Sequence, residues 1–235
     1  MKILFLLAPL LFSCRGQAPH QLKVIGGEEI SDHEFPAVIA IMQPSGLPCT
    51  GTVVGKGTIL TAAHCTLNTP LTALGRPVEL LIRGDDSGQA GEHDLAVLRF
   101  QEDAALDPEP IPLAVTGSNL GSTVVIVGFG HGDPDEHDKI GVKRIGRNHL
   151  SSVSELLLIG TPSGDVSGLD RASTASGDSG GPLIVDGRLL GVATGRNVSW
   201  NGARQSWFVD ILSDPSRNLL QRAEKMGANI ERSSQ

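Results

Sequence analysis

The 235-residue chain contains no tyrosine, only three cysteines, no run of basic residues and no long apolar stretch. Each absence excludes something. With no clustered lysine or arginine and a net charge of −7, the chain has nothing with which to neutralise phosphates, so a nucleic-acid partner is excluded. The apolar segment at residues 3–12 is too short to span a bilayer. There is no internal repeat and no low-complexity tract. What is plentiful is punctuation: 29 glycines and 14 prolines separate short apolar runs. That pattern implies many short strands joined by tight turns, hence an all-β sandwich or barrel. The length allows one large domain or two small ones with a substantial core.

The N-terminus has the form of an export signal, with Lys2 ahead of the apolar residues 3–12. Leu11-Phe12-Ser13-Cys14 resembles the lipobox of bacterial lipoproteins. On that reading residues 1–14 are the signal and Cys14 carries a lipid that anchors the chain to a membrane. Ordinary signal cleavage after Ala18 is the other reading. Export permits disulfides, and with Cys14 assigned to the signal, Cys49 and Cys65 remain as a pair. Closing that loop contributes about 3 kcal/mol in the chain-entropy picture. A metal site built from Cys49, His64 and Cys65 is the rival, and it lacks a fourth ligand.

Along the chain, residues 15–23 read as a polar spacer. Residues 37–42, 51–54, 58–61, 78–82 and 95–100 read as strands. The proline-rich residues 107–112 are the expected connector between two halves. Residues 123–127, 155–159, 183–185, 189–193 and 206–211 read as further strands, and residues 130–138 as an acidic loop. Only the end reads as a helix: Asp214 as N-cap, Pro215 at the first position, Leu219, Leu220, Ala223 and Met226 on one face, and Gly227 as the stop.

Gly177-Asp178-Ser179-Gly180-Gly181-Pro182 sets a serine among glycines, where backbone N–H groups can approach a bound carbonyl. A serine hydroxyl is a weak nucleophile until a base takes its proton, and that base needs an anion to fix its tautomer. Thr61-Ala62-Ala63-His64-Cys65 and His93-Asp94-Leu95-Ala96-Val97-Leu98 offer both, upstream and in that order. Together the three motifs resemble those of chymotrypsin-like (trypsin family) serine proteases, of a bacterial exported type, from residue 24 through the C-terminal helix. The resemblance implies two six-stranded antiparallel β-barrels packed perpendicular (residues 24–113 and 114–213) and a C-terminal α-helix (214–228). It implies polypeptide substrates and no cofactor or metal. It also implies His64 as the base, Asp94 as its orienting acid and Ser179 as the nucleophile. Gly177 and Ser179 become the oxyanion donors, and Thr194 the hydroxyl that supports the aspartate.

Other readings of the serine are tested on the same residues. Gly177-x-Ser179-x-Gly181 satisfies the nucleophile-elbow pattern, but that fold places its histidine after the serine, and all seven histidines here precede Ser179. A subtilisin-like set of Asp32, His64 and Ser179 needs alternating strands and helices, which the pattern lacks. His93 alternates with Asp94 and so points to the opposite face. A catalytically silent binding protein on the same fold is the remaining alternative, and retention of all three triad residues speaks against it.

Lys23-Val24-Ile25-Gly26-Gly27 resembles the family's zymogen cleavage site. A cut after Lys23 makes residues 15–23 an activation propeptide and frees the Val24 α-amine to pair with Asp178. It also releases a chain lipidated at Cys14 from its anchor. The residue six before the nucleophile, an aspartate in trypsin-like members, is Ser173. A lysine or arginine buried there lacks a counter-charge unless Asp210 reaches in. The expected P1 residue is therefore not Lys or Arg, and activation needs a separate protease. The substrate-binding set comprises Ser173, Thr174, Thr194, Gly195, Arg196 and Ser206. Arg196 with Thr174 receives an acidic side chain, or else Arg196 points to solvent and leaves a small uncharged pocket. Ala175 replaces one of the cysteines that usually brace this pocket. The short His64–Asp94 interval leaves out the loop that binds calcium in some relatives. The acidic loop reads as solvated, and Asn197-Val198-Ser199 is a glycosylation sequon that is silent in a bacterium.

Overall fold

The computed structural model describes residues 24–101, 108–132, 140–154, 156–161 and 169–234. The expected signal, Cys14, the spacer, Lys23 and residues 133–138 of the acidic loop lie outside the described residues.

Strands β2 (Val38–Met42), β3 (Pro48–Gly55), β4 (Thr58–Thr61), β5 (Leu71–Ala73), β6 (Arg76–Arg83) and β7 (Ala96–Phe100) close into an antiparallel barrel in the order β2-β3-β4-β7-β6-β5. Strands β8 (Thr123–Gly128), β9 (Arg144–Val153), β10 (Leu156–Thr161), β11 (Pro182–Val185), β12 (Arg188–Val198) and β13 (Arg204–Asp210) form the second. Its order is β9-β10-β13-β12-β11-β8, and β8 pairs back onto β9. A two-residue strand, β1 (Glu28–Glu29), adds to the outside of β9 with Glu29 opposite Arg144. The expected strand runs lie in β2–β4, β6–β8 and β10–β13. The short β1 and β5 and the polar β9 were not anticipated.

Period-two alternation explains why these strands read as near-continuous apolar runs rather than as apolar-polar alternation. Val53, Ile59 and Leu98 point into the first barrel, while their neighbours Val54, Leu60 and Val97 point out of it. The outward set meets Leu189, Val192 and Val209 of the second barrel. A second seam joins Val38 to Val127, Phe129 and Ile145. Helix α1 (Asp214–Lys225) closes the larger seam with Leu219, Leu220 and Ala223.

Two details of the helix correct the sequence expectation. Its N-cap is Ser213, whose hydroxyl accepts the Ser216 N–H at 3.4 Å, and Asp214 stands one residue further on, in the first turn. There it faces the positive end of the helix dipole instead of capping it. Met226 is the C-cap residue, one step beyond the last buried turn, and is 49% exposed, so it is not part of the apolar face.

Candidate active site

The chain leaves β4 at Thr61 and makes a 3-10 turn, Ala63–Thr66, that carries His64. A Cys49–Cys65 disulfide ties this turn to β3. The two sulfurs lie near the His64 ring, but they are bonded to each other, which removes the metal reading of Cys49, His64 and Cys65. Asp94, 1% exposed, sits just ahead of β7. Its Oδ1 accepts the His64 backbone N–H at 2.8 Å and its Oδ2 lies 2.7 Å from His64 Nδ1. Thr194 on β12 donates its hydroxyl to Oδ2 at 2.5 Å and accepts the Gly91 N–H at 3.0 Å. Thr194 therefore belongs to the aspartate rather than to a substrate pocket. With a carboxylate facing Nδ1, the neutral ring keeps its proton there, which leaves Nε2 as an acceptor. The His64 side chain is 25% exposed. His93 faces away, half exposed and 3.4 Å from Glu92.

Ser179 stands on the loop before β11, pressed against the first barrel. Thr50 of β3 holds this loop twice: its N–H donates to the Ser179 carbonyl at 2.8 Å and its hydroxyl to the Gly177 carbonyl at 2.9 Å. The Cys65 sulfur lies 3.7 Å from the same Ser179 carbonyl oxygen, so the histidine turn abuts the serine. Gly180 cannot carry a side chain, because a Cβ there stands 2.1 Å from Thr61 Oγ1 and 2.2 Å from the Thr50 carbonyl oxygen. Gly177 has φ +100°, in the region that glycine tolerates.

The N–H groups of the loop divide into two sets. Asp178 N–H donates to Ala175 O (3.1 Å), Gly180 N–H to Ala193 O (2.7 Å) and Gly181 N–H to Asp178 O (2.8 Å). Among the described residues, the N–H groups of Gly177 and Ser179 have no acceptor, and neither does the Ser179 hydroxyl. The Asp178 side chain turns inward and is buried. Its Oδ1 accepts Gly130 N–H (2.8 Å) and its Oδ2 accepts Ala175 N–H (2.7 Å). Burial pushes its carboxyl up to about 6, against the two N–H donors and the fields of Arg144 and Arg196.

A cavity of about 90 Å³ opens beside Ser179, lined by Thr174, Ala175, Ser176, Ala193, Gly195 and Arg196. Arg196 is the one charged residue in that lining among the described residues. Ser173 and Ser206 lie outside it: the Ser206 hydroxyl accepts the Thr174 N–H at 2.9 Å, and the buried Ser173 hydroxyl has no hydrogen-bond partner among the described residues. Asp210 does not line the cavity either, and its carboxylate accepts the Leu212 N–H at 2.8 Å. A larger cavity, about 230 Å³, lies between residues 113–115, helix α1 and Arg232, with no serine or histidine in its lining. Thr50, Gly130 and Arg144 support the site without having been anticipated. Only the glycine pair flanking Phe129 hints at them in sequence.

Residues 24–211 match the family model described as Trypsin. Mouse kallikrein 1-related peptidase b11 is 27% identical over 212 residues, covering 74% of this chain and 79% of its own. Snake venom serine protease PTLE1 of Gloydius halys is 30% identical over 201 residues, covering 72% and 75%. Among solved structures, neuropsin, a serine protease expressed in the limbic system of mouse brain, superposes with a TM-score of 0.67 at 21% identity. That likeness covers 85% of this chain and 98% of neuropsin. A mutant of human heparin binding protein (CAP37) gives 0.68 at 18% identity, covering 87% and 98%. These two likenesses establish the fold. Taken with the family match over most of its length, they place the chain in the trypsin family, as a serine endopeptidase.

Proposed function

We propose that this chain hydrolyses peptide bonds through Ser179, His64 and Asp94. The observation that carries this is the pair of N–H groups at Gly177 and Ser179 that donate to no described residue, set on either side of Asp178, while the N–H groups of Asp178, Gly180 and Gly181 are all taken. The Ser179 oxygen attacks the scissile carbonyl carbon while its proton passes to His64 Nε2, and the carbonyl oxygen gains the charge that the two N–H groups receive. As the C–N bond breaks, His64 returns the proton to the leaving amine. Water then repeats the sequence on the acyl-enzyme.

The protein is made as a zymogen, and a separate protease cuts after Lys23. Val24 is 1% exposed and lines a narrow cleft together with Asp178, so its freed α-amine has a carboxylate at hand. A serine-reactive phosphonate tests the reading. Labelling appears after the Lys23–Val24 cut and vanishes in Ser179→Ala. Labelling in neither state favours a silent binding protein.

The substrate pocket takes an acidic P1 residue. Among the described residues its lining carries no acid to pair with lysine or arginine, whereas the Arg196 guanidinium is near enough to the oxyanion loop for its field to reach Asp178. A hydrogen bond to a charged group contributes about 1.5–3 kcal/mol. Arg196→Ala accordingly lowers kcat/KM for glutamyl substrates by about 10–100-fold and leaves alanyl substrates near their original value. Equal losses on both remove Arg196 as the determinant and leave the small uncharged pocket.

Export in a bacterium as a lipoprotein completes the reading and rests on residues 1–14 alone. Incorporation of labelled palmitate that is lost in Cys14→Ser supports it, and an unlabelled N-terminus beginning after Ala18 overturns it.

A further inference from the structure

Arg144 opens β9 and is completely buried, the largest of the fully buried side chains. Packing alone does not call for a charged group there, and its donors show where it is used. Nη1 donates to the Gly130 carbonyl at 2.7 Å and to Val142 O at 3.2 Å, while Nη2 faces Glu29 Oε1 at 3.4 Å.

The Gly130 carbonyl shares its peptide plane with the His131 N–H, and that N–H donates to the Ser176 carbonyl at 2.9 Å. The Ser176 carbonyl in turn shares its plane with the N–H of Gly177. Because a trans peptide points its C=O and N–H in opposite directions, a carbonyl held toward His131 turns the Gly177 N–H away from it, toward the side on which no described residue accepts it. The fit is close: a Cβ on Gly177 stands 2.7 Å from Gly130 Cα. Hydrogen bonds linked head to tail through peptide groups also polarise one another, so a guanidinium at the start makes the last N–H a better donor.

We infer that Arg144 is a positioning residue for the oxyanion hole. It acts through two peptide planes, Gly130–His131 and Ser176–Gly177, to aim and polarise the Gly177 N–H. Its field also reaches Asp178, where it favours the ionised carboxylate without forming an ion pair. The inference rests on the reading of Gly177 as an oxyanion donor.

The test is made on the protein cut after Lys23, with Arg144→Gln and Arg144→Lys. Two quantities are read: the kcat–KM split on a peptide substrate, and the affinity of a peptide aldehyde, which forms a tetrahedral hemiacetal at the serine. Losing one oxyanion donor costs about 10²–10³ in kcat. A misaimed donor in Arg144→Gln lowers kcat by about 10–100-fold, with KM nearly unchanged and aldehyde affinity reduced in step. Arg144→Lys keeps the charge and much of the volume, folds, and shows a smaller loss of the same kind. Lys143→Met is the control. Lys143 is also buried, but its ammonium serves the carbonyls of Asp32, Glu34 and Phe35 and lies over the Phe129 ring, and it donates to no peptide group of the relay, so this variant loses stability and keeps kcat.

If both Arg144 variants keep kcat and aldehyde affinity within twofold while melting earlier, Arg144 is merely structural and the inference fails. The same holds if Arg144→Lys alone yields folded protein and matches the wild type. A wild-type protein that neither cleaves peptides nor binds the aldehyde overturns the underlying reading instead.

Discussion

Asp94→Asn lowers kcat by about 10⁴ with KM little changed, as the loss of the aspartate does in the trypsin-type triad. The reason lies in the donors that converge on this carboxylate. Oδ1 accepts a backbone N–H from His64, and Oδ2 accepts from His64 Nδ1 and from the Thr194 hydroxyl. An asparagine must place its NH₂ at one of the two positions. At the Oδ1 position it confronts a backbone N–H, which cannot become an acceptor. At the Oδ2 position it meets a hydroxyl that can rotate and an imidazole that can change tautomer. The amide therefore settles with NH₂ toward Nδ1, and the ring keeps its proton on Nε2, where it cannot receive one from Ser179. Steady-state kinetics on a peptide anilide check this, and a fall of less than tenfold removes Asp94 from its assigned role. Thr194→Val is expected to be far milder, about tenfold in kcat, because it deletes one donor of three and leaves the tautomer intact.

The proposed triad stands out in the sequence because its chemistry is local there. His64 is followed at once by its disulfide cysteine, Asp94 opens an apolar strand, and Ser179 lies among glycines whose absent side chains let the loop press on β3 and β4. Most strands were legible because both of their faces are apolar. Strand β9 was not, since its inward positions include Arg144 and Asn148 while Arg147, His149 and Ser151 face out. Buried polar residues erase the alternation on which a strand reading depends. Each such residue is explained by a partner far away in sequence: Asn148 donates to the Ala172 carbonyl at 2.7 Å, and Arg144 to Gly130. The pocket was half legible. Thr174, Gly195 and Arg196 of the expected set line the cavity, but only the fold separates them from Ser173, from Ser206, whose hydroxyl is spent on Thr174, and from Asp210, which faces Leu212.

The stability of the uncut chain falls by about 2 kcal/mol between pH 4 and pH 7 through Asp178 alone, and cutting after Lys23 abolishes that fall. In the uncut chain the Val24 nitrogen is a peptide nitrogen, and among the described residues no cation lies within ion-pairing distance of the Asp178 carboxylate. Desolvation therefore prevails over two backbone N–H donors and the fields of Arg144 and Arg196, and the group titrates near 6 instead of its ordinary 3.8. Between those two values the folded chain holds a proton that the unfolded chain has lost. The extra stability is thus fully present below 3.8 and is lost as the pH rises through about 6. A free Val24 α-amine beside the carboxylate reverses the sign, since an adjacent cation favours the ionised form. The measurement is the unfolding free energy from urea titrations at both pH values, for cut and uncut protein and for Asp178→Asn. Comparing changes with pH, rather than absolute stabilities, cancels the clash that an asparagine NH₂ makes with the Ala175 or Gly130 N–H. Uncut wild type loses about 2 kcal/mol relative to Asp178→Asn over this range, and cut wild type loses none. If uncut wild type and uncut Asp178→Asn show the same pH dependence, the ionised Asp178 carries no strain for the new amine to relieve, and the proposed activation loses its driving force.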